Sequence, residues 1–209
     1  MSTPVPRALT RSPLRTVRPK DLADVYRHPR AELARLTRAG VVRRLGHGYY
    51  VAIPDDRDSR WRPTLEAAAA GIAAAIYGPD DVALMGVSAA RVHGALPRAV
   101  GTAVVATPQQ HREVRLPGAG DGVVRFVMRD PAALDLEMRA LDEIGSGLVT
   151  TVEQTVVDLA RHGIPEVDAG QEHEVLRSLW RRADEDVVDE IAAAQRGRAA
   201  VARMRAVVE

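Results

Sequence analysis

Residues 18–54 read RPKDLADVYRHPRAELARLTRAGVVRRLGHGYYVAIP, and their pattern decides the fold of the N-terminal part. Pro19–Tyr26 reads as a short helix with Pro19 in its first turn, and Leu22, Val25 and Tyr26 share one apolar face. His28-Pro29 interrupts it, because the residue before a proline disfavours the α region. Pro29 opens a second helix to Ala39, and Gly40 is a natural stop. Val41–Leu45 and Tyr49–Ile53 read as two strands joined at Gly46-His47-Gly48, where glycine supplies positive φ. Two short helices followed by a hairpin are the outline of a winged helix-turn-helix.

The second helix carries a chemical division. Leu33 and Leu36 lie about 60° apart and define its inner face. Arg35 and Arg38 project from the opposite side, and Arg30 sits at the N-terminal edge. In a winged helix that outer face enters the major groove, so these three arginines are the candidate base readers, each able to pair bidentately with guanine. Lys20, Arg43, Arg44 and His47 are candidate phosphate contacts. Residues 1–17 hold three prolines and three arginines and read as an extended basic arm with at most one short helical turn; Arg11 and Arg15, with Arg18 just beyond, would follow an adjacent groove.

Charge supports this division. The chain has 209 residues, 29 basic and 28 acidic. Residues 1–48 hold 11 of the basic groups and 3 of the acidic ones, a net of +8; the remainder, with 18 against 25, nets −7. A basic head on an acidic body indicates two tasks. With no cysteine, disulfides, zinc ribbons, Fe–S clusters and thiol nucleophiles are excluded, which suits the cytoplasm. No apolar run reaches the roughly 18 residues of a membrane span, and the N-terminus has no apolar signal core.

Residues 54–63 (PDDRDSRWRP) read as a linker, and 64–209 as a larger mixed α/β domain, for an α+β chain overall. Thr64 caps an alanine-rich helix to about Tyr77. Val87–Leu96 is a short helix; 102–106, 123–128 and 134–141 are strands; Thr151–His162 is a helix with Val152, Val156, Leu159 and Ala160 on one face. The tail from Gln171 is helical, with breaks near 183–184 and at Gly197.

No segment makes a catalytic motif. Gly118–Gly122 precedes a strand rather than a helix, so it is a hairpin turn and not a phosphate loop. Gly86-Val87-Ser88 lacks the last glycine of a nucleophile elbow, and Ser88 reads as an N-cap. The six histidines never pair at i, i+4; Glu172-His173-Glu174 and Asp55-Asp56-Asp58 lack the remaining elements of a metal site. Kinase motifs are absent, with one lysine in the chain. No cofactor or metal is expected, and nothing demands an enzyme.

Residues 18–54, and above all GVVRRLGHGYYVAIP, resemble the N-terminal winged helix of AbiEi-type antitoxins. Leu84–Leu96 (LMGVSAARVHGAL) and Thr150–Arg161 (TTVEQTVVDLAR) resemble two helices of that family's antitoxin domain, so the likeness spans about residues 18–162. The chain departs from the family where the first helix should be, because that stretch is proline-broken and short. The resemblance implies an antitoxin of a type IV toxin–antitoxin pair. Such a protein neutralises a nucleotidyltransferase-like toxin and represses its own promoter at inverted repeats, as an oligomer or as adjacent copies on DNA. An acidic surface suits a toxin that binds RNA, and Glu172, Glu174, Asp184, Glu185 and Asp186 are its candidate contacts. Two alternatives are an antitoxin that promotes phosphorylation of its toxin, and a winged-helix repressor whose body senses a small molecule.

Overall fold

The computed structural model describes residues 6–98, 100–118 and 121–208. The elements run α1 Arg7–Thr10, β1 Thr16–Val17, a 3-10 turn Pro19–Leu22, α2 Pro29–Arg38, β2 Val42–Gly46 and β3 Tyr49–Ala52. Next come α3 Leu65–Tyr77, β4 Ala83–Leu84, α4 Val87–Val92, β5 Thr102–Thr107, β6 Val114–Leu116 and β7 Gly122–Met128. The chain continues with β8 Leu136–Ala140, β9 Ser146–Thr150, α5 Val152–His162, α6 Ala169–Trp180, α7 Glu185–Ala194 and α8 Arg198–Val208. The fold is α+β, with a small three-stranded sheet and a six-stranded mixed sheet.

The helix and hairpin of the head stand where the sequence places them. Leu33 and Leu36 are buried, and Gly40 ends α2 at φ +72°. The expected helix at 19–26 is instead one 3-10 turn. Only Leu22 and Tyr26 of its apolar face pack inward, while Val25 is exposed. Pro19 at one end and His28-Pro29 at the other leave too few residues for a costly helical nucleus to propagate.

The expected extended arm is also corrected. Residues 7–17 fold back on the head: Leu9, Leu14, Thr16 and Val17 are buried, and β1 adds to the hairpin in the order β1-β3-β2. Leu14 and Arg15 turn the chain at φ +46° and +48°, a left-handed conformation that costs non-glycine residues of order 1–3 kcal/mol. Burial of Leu14 and Val17 at about 1.5–3 kcal/mol each offsets it.

Both faces of this small sheet are covered. Val17, Val42 and Ala52 join Leu33 and Leu36 in the head core. Leu45 and Val51 join Leu14 and the alanines of α3 in the core of the body. Glycine permits the approach: Gly71 lies where a Cβ would stand 2.3 Å from Thr16 Oγ1. Residues 54–63 contain neither helix nor strand, yet they are fastened, with Arg57 paired to Glu143 and Trp61 half-buried.

The body is layered. The six strands run β6-β7-β5-β4-β9-β8, with β5 and β7 parallel and β6–β7 an antiparallel hairpin. Ala119 and Gly120 of the expected turn lie outside the described residues. Period-two alternation sends Ala103, Val105, Val124 and Phe126 toward α3, and Val104 toward the helical layer of α5–α8. Thr64 and Thr151 cap α3 and α5 through their hydroxyls. The tail forms three helices, with both expected breaks present. Ser88 is not an N-cap: Gly86 holds that position, and the buried Ser88 hydroxyl accepts from Val104 N–H at 2.8 Å. Among the described residues no helix is long and apolar enough to cross a membrane.

His93 links the layers. Its fully buried ring donates from Nε2 to Thr150 O at 2.8 Å, which leaves Nδ1 to accept from Arg139 at 3.3 Å. Burial pushes its pKa below the usual histidine value, against the opposing pull of the Thr150 carbonyl. The unfolded chain therefore binds a proton that the folded chain refuses. Stability from this group is complete above about pH 6.5 and falls on acidification below it, at up to about 1.4 kcal/mol per pH unit. Urea titrations at pH 7.5 and 5.5 should show this loss in the wild type and a smaller one in His93→Gln, whose amide can still donate to Thr150 O. An equal loss in both would refute the assignment.

Candidate nucleic-acid interface

The outer face of α2 presents Arg30, Arg35 and Arg38, all exposed, as the spacing requires. Arg35 is held by Glu32 one turn earlier, with Nη2–Oε1 at 2.7 Å, and the pair lowers the Glu32 pKa and raises that of Arg35. Such an exposed pair is weak, because water and salt screen it. A bidentate guanine contact contributes about 1–3 kcal/mol, so it can draw Arg35 away. Arg27 and His28 stand exposed at the start of the same helix and extend the basic surface.

The hairpin divides its arginines by register. The cross-strand pairs are Val42 with Ala52, Arg43 with Val51, and Arg44 with Tyr50. Paired residues share a face, so Arg43 lies on the body side with Val51, whereas Arg44 lies on the head side. Arg43 donates to Trp61 O at 2.7 Å and to Ser59 O, and burial lowers its pKa. Arg43, a candidate phosphate contact, thus has donors occupied within the chain and fastens the segment after the wing. Arg44 stays exposed, donating to Gly46 O at 3.1 Å beside His47, whose Nδ1 is 3.3 Å away.

Two arm residues are also occupied. Arg18 grips Asp21 through Nε and Nη2 at 3.0 and 2.9 Å, while its own N–H donates to the same carboxylate at 2.8 Å. Arg15 donates to Ile53 O at 3.4 Å and lies 4.0 Å from Asp55. Neither is a free arm that tracks a groove. Arg11 and Lys20 remain exposed.

The basic surface does not end at the head. A cleft of about 950 Å³ runs between head and body, with Arg18, Lys20, Arg30, Arg44, His47, Tyr49 and Tyr50 on one wall. His111, Arg112 and Arg115 form the other. Glu113 is the single carboxylate in its lining, and it is paired with Arg125 at 3.3 Å. Arg112 and Arg115 were missed in the sequence. The available signal was the alternation Val114-Arg115-Leu116, in which the two apolar residues are buried and Arg115 is exposed. Glycine closes the junction: a Cβ on Gly46 would stand 2.7 Å from Arg115 O, and one on Gly118 would stand 2.3 Å from Arg44 O.

The acidic candidates lie in the helical layer, on the other side of the large sheet. Glu172 and Glu174 belong to α6, and Glu174 is exposed. Asp184 caps α7, accepting from the N–H groups of Asp186 and Val187, so its first role is structural. Glu185 lies 3.8 Å from Arg205, and Asp186 is exposed. Among the described residues no group of three histidines, cysteines or carboxylates could hold a metal ion.

No family model matches the chain, and no curated protein matches it. Among solved structures it is similar to the crystal structure of the RV2827C protein from Mycobacterium tuberculosis, with 21% identity and a TM-score of 0.47, covering 90% of this chain and 75% of that one. The likeness is distant.

The two neighbouring arginines of the wing should behave differently. Arg43→Ala should lower the unfolding free energy by about 1–3 kcal/mol through its lost hydrogen bonds, whereas Arg44→Ala should stay within about 0.5 kcal/mol. Urea titration of the two variants checks this, and equal losses would reverse the placement.

Proposed function

We propose that the protein is a DNA-binding antitoxin of the AbiEi type, which represses its own promoter and neutralises a nucleotidyltransferase-like toxin. The observation that carries the DNA part is the basic face of α2 and the wing, where the chain's positive charge is concentrated, continued by Arg112 and Arg115 of the body across the cleft. In this reading α2 lies in the major groove, with Arg30, Arg35 and Arg38 on guanine edges. Lys20, Arg44 and His47 hold one flanking backbone, joined by Arg112 and Arg115 of the body. α2 has 10 residues, or roughly 15 Å, enough to read one half-site. Inverted repeats then require two copies.

The antitoxin part rests on the three stretches that resemble the family and on an acidic helical layer that the DNA face leaves free. Glu172, Glu174, Glu185 and Asp186, with Asp184 at the helix start, would oppose the cationic RNA-binding surface of the toxin. Complementary fields of this kind raise association rates and exclude wrong partners.

One pair of variants separates the two tasks. Arg35→Ala with Arg38→Ala should abolish the specific shift of the promoter fragment, keep the circular dichroism spectrum, and still rescue growth when co-expressed with the neighbouring toxin gene. Glu174→Lys, Glu185→Lys and Asp186→Lys together should keep the shift and lose rescue. These exposed positions are preferable to a truncation at 166, which would strip Val175, Leu179 and Val201 from the body's core. An unchanged promoter shift in the arginine double variant would refute the DNA reading, and full rescue by the lysine variant would refute the toxin surface.

A further inference from the structure

A second cavity, of about 400 Å³, lies between the α5 side of the large sheet and the end of α5. None of the residues assigned to DNA or toxin lines it. Its floor is apolar, made by Val87, Val104, Val127 and Leu159.

One carboxylate oxygen and one guanidinium of its wall find no partner among the described residues. Asp158 lines the cavity with its side chain 1% exposed. Its Oδ1 accepts from Arg129 and from Gln154 Nε2, the latter at 3.0 Å, while Oδ2 is buried without a hydrogen-bond partner. A buried carboxylate oxygen left unmatched carries its full desolvation penalty, and burial raises the Asp158 pKa despite the Arg129 charge. Arg161, also in the lining, is exposed and makes neither an ion pair nor a hydrogen bond among the described residues. Its place in the last turn of α5 suits the helix dipole, but that interaction leaves the guanidinium donors without an acceptor.

We propose that this cavity binds a small organic anion with a flat apolar body and an N–H donor. The body lies on Val104, Val127 and Leu159, the anionic group meets Arg161 and His162, and the N–H satisfies Asp158 Oδ2. The volume fits a molecule of metabolite size. A purine nucleoside monophosphate and an aromatic amino acid share this chemistry, and the test separates them. The proposal does not depend on the antitoxin reading.

Thermal unfolding of the full chain, followed with guanosine monophosphate, L-tryptophan and inorganic phosphate in separate titrations to about 10 mM, tests it. The expected result is a saturable rise of about 2–8 °C with one of the two organic anions and none with phosphate. Arg161→Ala, a change at an exposed helix end, should weaken that ligand at least about tenfold. Asp158→Asn should weaken it further, and if that variant does not fold, Arg161→Ala alone decides. No rise with either organic anion, an equal rise with phosphate, or undiminished affinity in Arg161→Ala would each overturn the proposal.

Discussion

The composite basic face depends on close backbone approach between head and body at three glycines. Gly71 lets the head's small sheet lie on α3, and Gly46 and Gly118 let the wing and the β6 edge touch through their carbonyls. Any side chain at these points would meet backbone or a buried hydroxyl at 2.3–2.7 Å. The small sheet is covered on both faces, so turning it relative to the larger one would expose buried apolar surface. The wing and Arg112–Arg115 therefore form one basic wall across this packed junction.

Electrostatics then follow the layering. Positive charge gathers on α2, the wing and the β6 edge; negative charge gathers on the helices behind the large sheet. The near-neutral total conceals this separation, and the sheet between the two surfaces keeps them apart. Within the basic face, arginines split into two groups. Arg15, Arg18 and Arg43 have partners in the chain that fix loops, whereas Arg30 and Arg38 stay exposed, as does Arg44 beside its bond to Gly46 O.

The head was readable where short-range signals decide structure. The Leu33/Leu36 spacing, Gly40, and the glycines around His47 specify α2 and its hairpin almost to the residue. The readings that failed turned on tertiary contacts. Leu14 and Val17 read as parts of a basic arm because the cores that hold them are built from distant residues. Arg43 and Arg44 are indistinguishable in sequence; only the pairing with Val51 and Tyr50 separates their faces. β4, β6 and β9 were missed: the alternation in β4 and β6 spans only two or three residues, and β9 opens on Ser146-Gly147, which reads as a turn. Arg112 and Arg115 joined the site only through the fold, across some 65 residues of chain.

The claim at the centre of this picture is that head and body hold nucleic acid together. The most direct measurement is the salt dependence of affinity for duplex DNA, compared between the wild type and Arg112→Ala with Arg115→Ala. Each phosphate contact contributes roughly 0.9 to the slope of log K against log salt. The expected result is a slope shallower by about 2 in the double variant, with the fold unchanged. An identical slope would mean that the head binds alone and would contradict the composite face.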